Sequence, residues 1–141
     1  MTINDIQDEI IEEFTEMDDW MDRYQLLIDL GEEQAALPAT DKTDDNLIDG
    51  CQSRLWLVCD ERDGLLYYRA ESDALIVKGI VALLIRILNG QSPADILASD
   101  LYFIDRIGLS DHLSPTRSNG LLSMVKQMRL YALAFQSKLE R

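Results

Sequence analysis

The sequence predicts an α+β fold: a small antiparallel sheet packed against helices. Three observations predict it. Apolar residues recur at helical spacing near both ends of the chain. Between them, residues 46–70 alternate in the manner of strands and turn back at Asp63-Gly64. Directly after this stretch, residues 74–88 are apolar almost all round, the pattern of a helix with no solvent face.

Taken in order, Ile3, Ile6, Ile10, Phe14 and Met17 form one helical stripe, with Asp5, Asp8 and Glu9 early, where the helix dipole favours anions. After a brief break, Asp18 or Asp19 can cap a second helix whose stripe is Trp20, Tyr24, Leu27 and Ile28, with Gly31 as its stop. The two make a helical hairpin. Residues 32–46 are polar, contain Pro38 and the run Thr40-Asp41-Lys42-Thr43-Asp44-Asp45, and read as an ordered loop. A three-stranded antiparallel meander follows: a short strand over 46–49, a turn at Gly50-Cys51-Gln52, a strand over 54–61 and a returning strand over 65–70. In the middle strand Leu55, Leu57 and Cys59 share one face, Trp56 and Val58 the other.

Ser72 or Asp73 can cap the buried helix 74–88, whose only charges are Lys78 and Arg86, and Asn89-Gly90 ends it. This helix is expected to cross the sheet and form the centre of the core. Ser92-Pro93 opens a short helix in the serine-cap, proline-first manner, and Ser99-Asp100 caps another, over 101–107, stopped by Gly108. Ser114-Pro115 starts the long C-terminal helix, with Leu121, Leu122, Val125, Met128, Ala132, Phe135 and Leu139 as its apolar stripe.

The 141 residues fit a single domain, 1–141, large enough to bury a core. No apolar run approaches the ~18 residues of a membrane span, and the acidic start lacks a signal peptide's basic region, so a cytoplasmic protein without membrane attachment is expected. Acidic residues outnumber basic ones 26 to 13, for a formal charge of −13. That balance opposes nucleic-acid binding, which needs a basic footprint. It fits high solubility, or steering towards a basic patch on a partner.

Chemistry narrows to the thiols. Neither a phosphate-binding glycine loop nor a nucleophilic-serine motif occurs. Cys51 and Cys59 are eight positions apart on what reads as an extended segment, on the order of 26 Å at ~3.3 Å per residue, far beyond disulfide reach. With one histidine, His112, they offer no usual zinc spacing, so no metal is expected. Cys59 alternates with Leu55 and Leu57 and reads as a packed residue. Cys51 follows Gly50 at a turn, where a thiol can be offered to a partner or tucked away as a small apolar group; the residues alone leave both open. Arg54, Lys78, His112 and Arg117 are the cations that could lower its pKa.

Gly50-Cys51-Gln52-Ser53-Arg54-Leu55-Trp56 resembles the active-cysteine segment of the SufE family of cysteine desulfuration proteins. Ser72-Asp73-Ala74-Leu75-Ile76-Val77-Lys78-Gly79 resembles the segment opening that family's buried helix, and residues 109–121 resemble its third motif. Trp20 and Gly31 fall where the family's helical hairpin would put them. The similarity covers essentially the whole chain, with the three motifs in order.

The resemblance implies a two-layer fold of the SufE/NifU kind and a sulfur carrier for iron–sulfur cluster assembly. Cys51 would accept sulfane sulfur as a persulfide from a SufS-type cysteine desulfurase, or from that of a paralogous system, stimulate it, and pass sulfur to a SufBCD-type scaffold. The pyridoxal phosphate belongs to the desulfurase and this chain carries no cofactor. It would be a sulfurtransferase-like accessory protein rather than a stand-alone enzyme, and either a monomer or a weak homodimer. Gly50, Gln52, Asp73 and Arg117 would support the cysteine loop, although Asp73 can equally serve as a cap and Arg117 as an ion-pair partner. Two other classes compete. A cluster scaffold of the related NifU/IscU kind needs about three converging cysteines, and this chain has two. A non-catalytic adaptor would bind its partner through acidic surface alone.

Overall fold

The computed structural model describes residues 1–48, 54–112 and 115–139, with backbone alone at 110, 112 and 115–119. The fold is α+β, as the sequence predicts. Helices α1 (Ile3–Thr15) and α2 (Trp20–Glu32) form the N-terminal hairpin; strands β1 (Leu55–Arg62) and β2 (Leu65–Ser72) pair antiparallel; α3 (Leu75–Leu88) follows. Then come the short α4 (Pro93–Ala98), α5 (Phe103–Arg106) and α6 (Leu109–His112), and the long α7 (Pro115–Leu139).

Local chemistry explains three of the helix starts. Thr2 and Asp5 form a reciprocal capping box on α1, Asp19 caps α2 through Met21 N, and Ser92 with Pro93 starts α4. The β1–β2 turn has positive φ at both Asp63 (55°) and Gly64 (82°), the primed geometry that matches strand twist. On β1, Leu55 and Leu57 are buried and Cys59 half-buried, opposite Ser72, Ala70 and Tyr68 of β2. Tyr68 lies in the core and its hydroxyl donates to the Met128 carbonyl of α7 at 2.6 Å, tying sheet to helix. From Gly79 onward α3 is buried except at Arg86, whose guanidinium pairs with Glu9 and Glu13 of α1. Buried Gln7 donates to the Asp100 carbonyl (3.0 Å) and accepts from Phe103 N (3.2 Å), which fastens α1 to the link between α4 and α5.

Several expectations are corrected. Among the described residues the sheet has two strands, not three. Of the expected first strand over 46–49, Asp49 lies outside the described residues, and the described part contributes one bridge, Leu47 to Trp56, because Asp44–Asn46 is wound into a 3-10 turn and the Asn46 side chain donates to the Asp41 carbonyl. Gly31 is not a stop. α2 continues to Glu32, and Gly31 lies where α2 crosses α3: a Cβ there would sit 2.6 Å from Lys78 Cβ, and one on Gly79 only 2.1 Å from the Leu27 carbonyl oxygen. Neither Ser72 nor Asp73 is the N-cap of α3; Ala74 holds that position without a side-chain bond, and the helix begins at Leu75. Ser99 and Asp100 do not cap α5, which starts later; the Ser99 hydroxyl turns back to the Ile96 carbonyl. On α7 the buried seam is Gly120, Met124, Met128 and Ala132, while Leu122 and Leu139 face solvent. Among the described residues no helix is long and apolar enough to cross a membrane.

Candidate functional site

Gly50, Cys51 and Gln52 lie outside the described residues, but the structure defines both ends of the segment that carries them. At the near end, Ile48 N donates to the Leu55 carbonyl at 2.8 Å, next to the Leu47–Trp56 bridge. At the far end, the Asp73 carboxylate accepts from Arg54 N at 3.0 Å, and Asp73 N donates to the Arg54 carbonyl at 3.3 Å. Ile48 and Arg54 are therefore both bonded at one place, the base of this segment, at the end of the hairpin opposite its Asp63-Gly64 turn. Asp73 anchors that base because β2 ends at Ser72, leaving Asp73 backbone and side chain free to face β1. Ser72, buried, accepts from Ala74 N at 3.2 Å and sets the sharp turn into α3.

The surroundings of this base combine apolar and charged groups. Leu75, in the first turn of α3, is 53 % exposed, and Ile76 and Val77 are half-buried. Leu75 is thus an exposed leucine on an apolar and largely buried helix, two residues from the anchor. On the neighbouring side, Glu71 accepts from Leu37 N at 3.0 Å and pairs with Lys42, whose ammonium lies 5.5 Å from the centre of the Trp56 ring. The Lys42 hydrogen bond is the first cause holding the Glu71 carboxyl below its ordinary pKa. These contacts strap residues 37–42 over the strand that carries the cysteine segment.

The two thiols differ. Cys59 is half-buried beside Tyr68, and burial, reinforced by the charge of Asp60, pushes its pKa up to about 12. It is a protonated, unreactive thiol at neutral pH. Of the other expected site residues, Asp73 is brought to the base. Arg54 is brought there through its backbone, and its side chain is exposed. Lys78 is half-buried one turn into α3. Arg117 falls in the first turn of α7 and His112 at the end of α6, both as backbone alone. The sequence reading missed the Glu71–Lys42 strap and the exposure of Leu75. No local signal could have found the strap, since its partners are far apart in the chain. Nor did a local signal mark the second, because Ser72 and Asp73 read as caps of a buried helix while the structure starts it at Leu75 without one. Among the described residues, no three His, Cys, Asp or Glu side chains converge where a metal could sit.

This geometry defines a class: an α+β domain in which a two-stranded hairpin, backed by a buried helix, bonds both flanks of a short cysteine segment at one end. Comparison supplies the family. The model of the SufE, Fe-S metabolism associated domain, matches residues 8–132, and the chain belongs to this family. It is similar to an uncharacterized SufE-like protein of Rhizobium meliloti (strain 1021), 40 % identical over 127 residues covering 86 % of this chain and 91 % of that one. An uncharacterized SufE-like protein of Synechocystis sp. is 38 % identical over 127 residues, covering 90 % and 80 %. A solution structure of a hypothetical protein from Thermus thermophilus superposes with a TM-score of 0.77 over 94 % of this chain and 96 % of that one; at 20 % identity it shows the fold alone. Family membership associates the chain with iron–sulfur metabolism.

Proposed function

We propose that this chain is a sulfur carrier: Cys51 takes up sulfane sulfur from a SufS-type cysteine desulfurase and delivers it to a SufBCD-type assembly scaffold. The Cys51 thiolate attacks the terminal sulfur of the desulfurase's cysteine persulfide. A new S–S bond forms on Cys51 as the old one breaks, and the desulfurase cysteine leaves as a thiolate. No net oxidation occurs, as in thiol–disulfide exchange. The pyridoxal phosphate and the cleavage of the C–S bond belong to the desulfurase, and a reducing cytoplasm suits a free thiol.

One observation carries this reading. The chain has two thiols, and the one inside β1 is disabled by burial while the other belongs to a segment whose two ends are clasped together. The Ile48–Leu55 and Arg54–Asp73 pairs fix both flanks of the Cys51 segment to the sheet, so a partner that docks at this end of the hairpin meets a defined frame. Exposed Leu75 beside that base is the apolar surface on which the desulfurase would dock. Gly50, Gln52 and Arg117 are the further residues assigned to the cysteine segment.

The test is intact mass after incubation with the desulfurase, pyridoxal phosphate and L-cysteine. Wild type gains one sulfur, and Cys51→Ser gains none while keeping its melting curve. Sulfur found on Cys59 would refute the assignment. A Cys51→Ser variant that stimulates the desulfurase as well as wild type would replace the carrier with an acidic adaptor.

A further inference from the structure

Residues 37–48 lead into the near flank of the Cys51 segment, and groups on the hairpin hold them. The Glu71 carboxylate accepts from Leu37 N at 3.0 Å and pairs with the Lys42 ammonium. Arg69 pairs with Asp41 at 3.1 Å and with Asp60 at 3.0 Å, which ties this stretch to both strands. Asn46 donates to the Asp41 carbonyl at 2.8 Å, so the turn before Leu47 is fastened to the same stretch.

These contacts meet at Trp56. It lies opposite Glu71 in the register of the two strands, and the Lys42 ammonium sits 5.5 Å from its ring centre. It also forms the bridge to Leu47, beside the bond from Ile48 N to the Leu55 carbonyl. Glu71 is thus linked to the near flank twice, directly at Leu37 and Lys42 and again through Trp56. Two residues further on, the Asp73 carboxylate holds the far flank at Arg54 N. One short stretch, 71–73, therefore supplies a carboxylate for each flank of the thiol segment.

We propose that Glu71 and Lys42 are positioning residues for sulfur transfer: their ion pair presets the near flank, so the desulfurase need not order it on docking. This inference rests on the carrier reading of Cys51. Apparent affinity falls with the fraction of molecules that are ready to bind. Loss of the brace therefore raises the concentration of this chain that half-saturates the desulfurase and leaves the saturating rate unchanged. A loss of stability that leaves the protein folded moves neither.

The desulfurase rate against concentration of this chain, together with amide exchange at Ile48, tests it. Glu71→Gln and Lys42→Met each raise the half-saturating concentration about threefold, the range of a partly exposed ion pair. The double variant also shows about threefold rather than about ninefold, because both changes remove the same interaction. Lys42→Arg keeps the wild-type value. So does Arg86→Gln, which breaks ion pairs of α3 with Glu9 and Glu13 instead. In the free protein, Glu71→Gln speeds exchange at Ile48 by about threefold. An unchanged Ile48 rate overturns the link from brace to flank. Single variants that half-saturate at the wild-type concentration, or that lower the saturating rate alone, overturn the positioning role, and the carrier reading stands if wild-type Cys51 gains sulfur. If wild-type Cys51 gains none, the carrier reading falls and this inference with it.

Discussion

Replacing Gly79 by alanine pits two opposite effects against each other in one residue. In an exposed helix interior the change stabilises by about 1 kcal/mol, because alanine is the better helix former. Here the new Cβ would lie 2.1 Å from the Leu27 carbonyl oxygen, 2.6 Å from its carbon and 2.8 Å from its Cα. All three are backbone atoms of α2, so no side chain can swing aside. Restoring an ordinary contact of 3.4 Å requires the two helices to part by about 1.3 Å, and a gap of only about 0.5–1 Å already forfeits a quarter to a half of the dispersion energy of the contacts it opens. Overpacking typically costs about 1–3 kcal/mol, and a backbone-on-backbone clash belongs at the top of that range. Net of the propensity gain, Gly79→Ala loses about 2 kcal/mol, or a fall in Tm of roughly 8 °C for a domain of this size. Gly31→Ala meets Lys78 Cβ at 2.6 Å and Gly79 N at 2.8 Å at the same crossing. The double variant therefore loses less than the sum, since helices already parted admit the second methyl cheaply. Thermal melts of the two single variants and the double check this. A Gly79→Ala protein with a raised or unchanged Tm would mean that α2 and α3 do not cross this closely, and the reasoning would fail.

Other consequences follow from the site. With its pKa near 12, Cys59 stays protonated at pH 8, so brief iodoacetamide treatment adds one label to the native protein, none to Cys51→Ser, and a second only after denaturation; peptide mapping reads the result. Asp73→Ala removes a carboxylate acceptor from Arg54 N, costs about 1–2 kcal/mol, and speeds amide exchange at Arg54 well before that of the β1 interior. The Glu71 pKa is lowered on folding, so its contribution to stability is present above its unfolded value of 4.5 and is lost as pH falls through the folded value. Urea titrations should therefore show a gap between wild type and Glu71→Gln at neutral pH that closes on acidification below 4.5; a gap constant with pH would mean that the carboxylate charge contributes nothing to the strap.

What the sequence disclosed divides along the range of the interaction. The Asp63-Gly64 turn, the Ser92-Pro93 start and the Asp19 cap were legible because each is decided by a residue and its immediate neighbours. The alternation that made Cys59 a packed residue was legible for the same reason, and half-burial with a raised pKa agrees with it. Gly31 was misread because glycine serves both as a helix stop and as a site of close approach, and only Gly79, far along the chain, decides between them. On α7, leucines on both sides blurred the stripe; Met124 is buried and Leu122 is not, as the packing of α4 and β1 against the helix dictates. Asp73 is the instructive case for the site. Its position before an apolar helix has every mark of an N-cap, yet its carboxylate turns to Arg54, because β2 delivers it beside the start of β1. An aspartate's readiness to accept a backbone N–H is written in the sequence, but which N–H it meets depends on the register of a strand pair. That is why the thiol segment could be found by resemblance, while the clasp at its base needed the fold.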